Sequence, residues 1–313
     1  MQKLSSSLVI CTRNRLQDIL NLILSVAKQT KEPYEFVIVD SSPKKLIEYA
    51  EFIAAFDQKL FPHTKLLYKH TQKAGTSYQR NIGAHLVSAD IFHFVDDDTI
   101  LEPTYIEKMD AIFESNTHYA GGMGCVINVL PKINNMHRWL RVLFLLQRDH
   151  DSGNFTFSGM PTHAYGTTTF KDVQVLGGCC MSYRRDIFLH YLFDEQLGQY
   201  AYLEDVDCSW RVSQNHRLFY NPTAKLKHIK SPVNRAKVAE RKALFLRNYR
   251  YLFFKNVYPH NKFKIFAHWW SVLGLFFCSF VARDVESLKG YWQGLGAYYT
   301  KVSGQNTQRM KKT

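Results

Sequence analysis

Cysteine is sparse in this 313-residue chain. None of the six, Cys11, Cys125, Cys179, Cys180, Cys208 and Cys278, lies in a Cys-x-x-Cys pair or at a zinc-binding spacing. Reduced thiols of a cytoplasmic protein are the expectation. The start, MQKLSSSLVICTRNR, lacks an apolar run long enough for a signal peptide, so the active face is expected to meet the cytoplasm. No internal repeat is present. Acids are outnumbered, 27 against 40 lysines and arginines, a net charge of +13. Wholesale disorder is excluded, because 46% of residues are hydrophobic. The length suits one large α/β domain with an appendage.

The rest is organised around IFHFVDDDTIL, residues 91–101. Ile91, Phe92, His93, Phe94 and Val95 read as a buried strand. Three adjacent carboxylates follow, Asp96, Asp97 and Asp98, and their mutual repulsion needs an offset. A divalent cation supplies one, since hard cations take carboxylate oxygens. In extended backbone Asp96 and Asp98 point to one side, so that pair suits a metal that also holds a diphosphate. The alternative is a solvated acidic turn feeding a helix at Pro103.

Strands are expected at Ser7–Cys11, Phe36–Val39, Lys65–Tyr68 and within 91–101, alternating with helices over Leu16–Gln29, about Lys44–Phe56, and through Arg80, Asn81 and His85. That alternation implies βαβ units and a largely parallel sheet. Polar residues after the strands then line one crevice, so Thr12, Asp40 and Asp96 to Asp98 should converge. Further strands are expected at Tyr119–Val129, Val173–Leu176 and Phe219–His228. Residues 134–170 have no clean period and read as an insertion or mobile loop over the site. Gly177 and Gly178 either let the backbone approach a ligand or form a plain turn. Leu203-Glu204-Asp205-Val206-Asp207 begins a helix. The polar tail, 305–313, is expected to be disordered.

The positive charge is concentrated. Lys225 to Lys264 holds twelve basic residues against Glu240, a local net of +11. Such a segment suits anionic lipid, nucleic acid or a diphosphate, or is a solvated helical face. Ile265 to Ala282 is the most apolar run, at the lower limit for crossing a bilayer. His268, Ser271 and Ser279 interrupt it on one helical stripe. A helix in the membrane interface, or packed on the domain, is therefore preferred to a span.

Residues Ser6 to Lys230 resemble glycosyltransferase family 2. The opening SLVICTRNR is similar to that family's first strand and nucleotide loop, with Cys11 and Arg13 in place of the commoner proline or threonine and tyrosine. VIVDSS resembles the second strand, AGTSYQRNIGAH the segment facing the donor, and FVDDDT the metal and diphosphate signature. GGCCMSYRRDIF resembles the acceptor-side stretch and LEDVDCSWR the Glu-Asp motif of the catalytic base. His228, 23 residues after Asp205, stands where many members place a metal-binding histidine.

The resemblance implies a GT-A fold: a Rossmann-like α/β domain with a mostly parallel central sheet flanked by helices, over 1–230. A basic and aromatic helical appendage follows over 231–304. It further implies inverting transfer of a hexosyl or deoxyhexosyl group from a nucleotide-diphosphate sugar to a hydroxyl of a glycan or lipid-linked acceptor, in cell-surface polysaccharide synthesis. The implied donor-binding residues are Thr12, Arg13, Arg15, Asp40, Arg80, Asn81, Asp96 and Asp97. Asp96, Asp98 and His228 would hold Mn2+ or Mg2+, Gly177 and Gly178 would line the acceptor side, and Asp205 with Glu204 would supply catalysis. An anionic membrane surface at the inner face of the cell membrane is the expected further partner, with no nucleic acid.

Residue by residue, plainer roles exist. Glu204 and Asp205 also suit a helix first turn, His228 a strand end, and Arg80 a surface ion pair. Rival functions have their own signatures. A sugar-nucleotide pyrophosphorylase would carry a glycine-rich loop, and CTRNR has no glycine. A processive synthase would carry several spanning helices and a Gln-x-x-Arg-Trp motif. Nucleic-acid binding leaves the acidic triplet unexplained. An inactive homologue serving as a scaffold would be favoured by loss of Asp98 or Asp205, and both are present.

Overall fold

Short β-branched and aromatic runs build the first half of the sheet. In the computed structural model, which describes residues 3–128, 135–148, 153–197, 202–233 and 236–296, they form β1 (Ser6–Thr12), β2 (Glu35–Asp40), β3 (Lys65–His70) and β4 (Ile91–Asp96). The tail 305–313 lies outside the described residues. These strands run parallel in the order β3-β2-β1-β4. The connections carry helices α1 (Leu16–Val26), α2 (Ala50–Ala55) and α3 (Thr76–Leu86). Ile19, Leu22, Ile23 and Val26 repeat at helical spacing on α1 and are its buried face. The helix expected over Lys44–Phe56 is divided, because Tyr49 is extended between a 3-10 turn at Leu46–Glu48 and α2.

The chain continues through β5 (Thr99–Leu101), α4 (Tyr105–Ser115), β6 (Tyr119–Val126), α5 (Asn135–Leu143), β7 (Lys171–Val173), β8 (Cys180–Arg184), α6 (Arg185–Phe188), α7 (Glu204–Ser213) and β9 (Arg217–His228). The sheet extends past β4 as β8-β6-β9-β5, with β7 also on β9. This half is mixed: β4–β8, β8–β6, β5–β9 and β7–β9 are antiparallel, and β6–β9 is parallel. The strand expected at Val173–Leu176 is displaced to Lys171–Val173. Its ladder on β9 ends at Val173, and the next two amides donate to Gly153 O instead.

Two registers set up the site. Thr12 is level with Asp40 and Cys11 with Asp96, so the parallel strands end in a row. Thr99 is level with His228, which carries the end of β9 back to the acidic triplet.

By packing, the chain forms two units. The first is Met1–Pro131, Ser152–Asn154 and His163–Asn234; the second is Lys132–Asp151, Phe155–Thr162 and Arg235–Thr313. Of the stretch 134–170, then, α5 and 155–162 belong to the second unit, and His163 onward to the first. The second unit also contains α8 (Val238–Leu252), a π-helical turn at Phe253–Val257 and α9 (Lys264–Val281). Among the described residues, α9 is the one helix long and apolar enough to cross a membrane. Its polar stripe faces inward: His268 stacks on Phe253 at 4.0 Å between centroids, and Ser271 Oγ lies 2.8 Å from Tyr249 Oη.

A buried polar network ties β1, β4 and α4 together. Asp110 accepts from Ser6 Oγ at 2.6 Å, pairs with Lys31 Nζ at 2.8 Å, and lies 3.0 Å from His93 Nε2. Burial alone would raise the Asp110 carboxyl, but His93, Lys31 and Ser6 hold it below its ordinary value. Removing one member strands the others in an apolar setting. Asp110→Ala is expected to destabilise the fold by about 3 kcal/mol in urea unfolding. Because the folded carboxyl is depressed, its contribution is present above about pH 3.9, the ordinary carboxylate value, and is lost as pH falls through the folded value. The stability difference between wild type and Asp110→Asn should shrink over that acid range.

Candidate active site

Three adjacent carboxylates at a strand end are tolerated because each has its own partner. Asp96 Oδ1 meets Arg80 Nη2 at 2.9 Å. Asp97 accepts from Thr12 Oγ1 and from Arg15 Nη1, both at 2.7 Å. Asp98 Oδ2 accepts from the Ser231 amide at 2.8 Å, and its Oδ1 lies 3.1 Å from His228 Nε2. Burial pushes Asp97 up to about 7 despite Arg15. Asp98 moves down: burial opposes this, but His228 and the Ser231 amide prevail. Arg15 also donates to Val233 O at 3.0 Å, so the first unit's last residues close over the triplet from the side of Asp97 and Asp98.

Asp96, Asp98 and His228 each offer one ligand atom, and these atoms all lie within 4.8 Å of one another. Asp98 Oδ1 is buried without an aligned hydrogen-bond donor, since the His228 contact lies off hydrogen-bond geometry. Two carboxylates and an imidazole around an undersatisfied oxygen fit a divalent cation. The register that makes this possible is Thr99 opposite His228.

Arg80, on α3, joins this group to the opposite wall. Its Nη1 meets Glu204 Oε1 at 2.6 Å, and Nη2 donates to Asp96 and to Gly178 O at 2.8 Å. The guanidinium lies near the rings of Phe94 and Phe193, at 6.0 and 5.5 Å. Burial opposes its charge, but Glu204 and Asp96 keep it protonated. Burial and the adjacent Asp205 raise the Glu204 carboxyl. Asp205, second residue of α7, accepts from the Gly178 amide at Oδ2, 2.7 Å, and from the Val206 amide at Oδ1, 2.9 Å. Unlike Glu204 it is only half-buried. Asp207 is fully buried and paired with Arg211 at 2.9 Å, which removes it from the group.

The two glycines are needed for close approach within the protein. A Cβ on Gly178 would sit 3.2 Å from Asp205 Oδ2 and 3.3 Å from Arg80 Nη2; one on Gly177 would collide with the Tyr165 hydroxyl, 1.7 Å away. The stretch 163–165, which carries no readable motif, places His163 and Tyr165 in a parallel stack 5.2 Å apart, with the Tyr165 hydroxyl 3.7 Å from Cys179 Sγ.

Not every expected residue joins this network. Asp40 is fully buried and accepts from the Ser42 and Leu46 amides and from Tyr68 Oη, at 2.7, 2.9 and 2.6 Å. Asn81 exchanges hydrogen bonds with Phe193, donating to its O at 3.0 Å and accepting from its N at 2.9 Å. Both act as anchors of neighbouring loops. Arg13 is exposed on the turn after β1.

Comparison with known proteins follows the same lines. The family model described as "Glycosyl transferase family 2" matches residues 7–192. A glucosyl-dolichyl phosphate glucuronosyltransferase of Haloferax volcanii is 30% identical over 124 residues, 39% of this chain and 38% of the relative. An uncharacterized glycosyltransferase, YwdF, of Bacillus subtilis is 31% identical over 104 residues, 33% of this chain and 36% of the relative. The matched stretch thus spans little more than a third of either curated relative. Among solved structures, S. aureus TarS 1-349 superposes with a TM-score of 0.55 at 17% identity, covering 91% of this chain and 75% of that one. GalNAc-T7 with UDP, GalNAc and Mn2+ gives a TM-score of 0.58 at 18% identity, covering 80% and 48%. These two are alike in fold, the GT-A fold.

Proposed function

The chain belongs to glycosyl transferase family 2, and on that premise we propose that it is an inverting, metal-dependent glycosyltransferase. The donor is a nucleotide-diphosphate sugar and the acceptor a hydroxyl of a glycan or lipid-linked glycan. The observation that carries the reading is one connected network: the Asp96, Asp98 and His228 group is joined through Arg80 to Glu204 and Gly178, and Gly178 holds Asp205.

Asp96, Asp98 and His228 would hold Mn2+ or Mg2+, which when bound supplies charge stabilisation to the leaving diphosphate. The solved GalNAc-T7, alike in fold, contains Mn2+ and UDP, which supports a divalent metal and a nucleoside diphosphate here. Arg15, held by Asp97, and Arg80, held by Asp96 and Glu204, add fixed positive charge beside the carboxylates at no cost of reorganisation. Asp205, half-exposed and oriented by two amides, takes the proton from the acceptor oxygen as that oxygen attacks the anomeric carbon. Glu204 and Gly178 orient this wall, with Gly177 beside them. Thr12 steadies Asp97, while Asp40, Arg13 and Asn81 shape the loops around the nucleotide.

A single displacement inverts configuration. Incubation with a panel of nucleotide sugars and manganese should release nucleoside diphosphate and give a product whose anomeric configuration by NMR is opposite to the donor's. A retained configuration would overturn single displacement.

The setting we favour is the cytoplasmic face of a membrane, in assembly of cell-surface polysaccharide from hexosyl or deoxyhexosyl donors. The exposed basic residues of the Lys225 to Lys264 stretch, Lys225, Lys227, Lys230, Lys237 and Lys262, support an anionic leaflet as partner, each worth about 1 kcal/mol near such a surface before screening.

A further inference from the structure

Helix α9 is amphipathic in the reverse sense for a water-facing helix. Its buried residues are His268, Ser271, Val272, Gly274, Leu275, Cys278 and Ser279, so all three of its polar side chains after Lys264 lie on the covered face. Its exposed stripe is Phe266, Trp270, Leu273, Phe277 and Phe280, spaced by four, three, four and three residues. That is one continuous line along the helix. Phe266 and Phe280 are 75% and 71% exposed. A helix bathed in water should show the opposite arrangement.

Helix α5 repeats the pattern. Its outward residues are Met136, Trp139 and Leu143, at 64%, 76% and 51% exposure. The two lines adjoin within the second unit. Trp270 Nε1 donates to Leu143 O at 2.9 Å, and Phe144 packs on Trp270 and Phe277 at 4.9 and 5.3 Å between centroids. Gly274 lets this happen, because a Cβ there would meet Phe144 at 2.2 Å. The result is one apolar ridge made from residues more than a hundred positions apart in sequence.

We propose that this ridge, α5 beside α9, inserts into the headgroup and acyl boundary of a lipid bilayer. Three observations choose lipid over a second copy of the chain. The ridge combines phenylalanine and tryptophan with leucine, the apolar set of helices that lie in a membrane interface. Basic residues bracket α9, with Lys262 and Lys264 at its start and Arg283 just beyond its end, as on helices lying in an anionic interface. The polar stripe of α9 is turned inward, with Ser271 hydrogen-bonded to Tyr249 and His268 stacked on Phe253, so the helix meets lipid with one face along its length rather than being surrounded by it. The inference deepens the membrane reading above by giving α5, which lies outside the Lys225 to Lys264 stretch, a direct part in binding.

The test uses the full chain with vesicles of phosphatidylcholine, with and without phosphatidylglycerol. Two double variants are compared, Met136→Ser with Trp139→Ser, and Phe266→Ser with Phe280→Ser. All four positions are solvent-exposed, and thermal unfolding checks that the fold is kept. Each pair should weaken vesicle partitioning by roughly tenfold or more, and wild-type binding should persist in part at high salt, because apolar burial is not screened. Trp139→Phe should bind normally yet lose part of the quenching by brominated lipid. The proposal is overturned if the α5 pair binds like wild type, or if binding vanishes at high salt, which leaves the basic segment alone. It is equally overturned if the chain ignores both vesicles, or sediments as a dimer that the variants dissociate. Nucleoside diphosphate release in the absence of vesicles is read in parallel. Its loss in wild type speaks against the transferase reading and leaves the ridge untouched.

Discussion

Asp205→Asn should lower turnover by roughly a hundredfold or more, the usual contribution of a general base, with donor binding nearly unchanged. The substitution is close to isosteric. The asparagine oxygen can still accept from the Gly178 amide, which lies 2.7 Å from Asp205 Oδ2, so the wall should keep its shape. What is lost is the capacity to take a proton. Donor affinity should hold because Asp205 is held by the Gly178 and Val206 amides, while Arg80 keeps its own contacts to Asp96 and to Gly178 O. The Glu204 carboxyl is raised and so takes a proton readily, but it is buried with Oε1 held by Arg80 at 2.6 Å, whereas Asp205 is the more accessible of the two. Glu204→Gln should therefore damage the position of Arg80 and affect donor binding as well as rate. Steady-state kinetics with both variants separates these effects. Near-normal turnover in Asp205→Asn would transfer the base to another carboxylate, with Glu204 the first to consider.

Asp98→Ala should abolish metal-stimulated binding of a nucleoside diphosphate, with a loss on the order of a hundredfold or more, since even a partner that merely orients a ligand is worth about ten- to a hundredfold. Asp98 has two tasks, however. Its Oδ1 faces His228 and its Oδ2 accepts from the Ser231 amide. Alanine removes both, and part of its effect could come from release of 229–233. Asp98→Asn keeps an acceptor for Ser231 while reducing the ligand's charge, so it separates the tasks. His228→Ala should weaken metal-stimulated binding less, because both carboxylates remain. Calorimetric titration with and without manganese measures all three. Undiminished metal stimulation in both Asp98 variants would remove Asp98 from the metal site. The same contacts caution against truncation near Ser231: a chain ending there loses Val233 O, which Arg15 uses to hold its place beside Asp97.

Much of the first unit was legible because its signals are local. Ile91 to Val95 reads as a buried strand from its own residues, and the three carboxylates after it point either to a cation or to a solvated turn. The alternation of such strands with helices is enough to place Thr12, Asp40 and Asp96 at one edge of a sheet. The antiparallel half was less legible. β5 has three residues, and its existence depends on β9, more than a hundred residues later. The stretch 134–170 was unreadable as a unit because it is not one: α5 packs with the C-terminal helices, and His163 with the residues that follow it.

By itself the sequence determined the strand-and-helix alternation, the acidic triplet, the Glu-Asp pair at a helix start, and a polar stripe on an otherwise apolar helix. Periodicity and charge are properties of neighbours along the chain, so these survive without coordinates. Only the tertiary structure decided the partners. Arg80 reads alone as a donor contact or a surface ion pair, and it became the buried link between Asp96 and Glu204, carboxylates 108 residues apart in the chain. His228 entered the acidic group because a short antiparallel ladder set its register. The stripe of α9 told that one face differed, but not which face was covered. That depended on Tyr249 and Phe253 offering hydrogen-bonding and stacking partners to Ser271 and His268, which turned the phenylalanines outward. Such choices rest on pair contacts between distant segments, and no window along the chain contains both members of the pair.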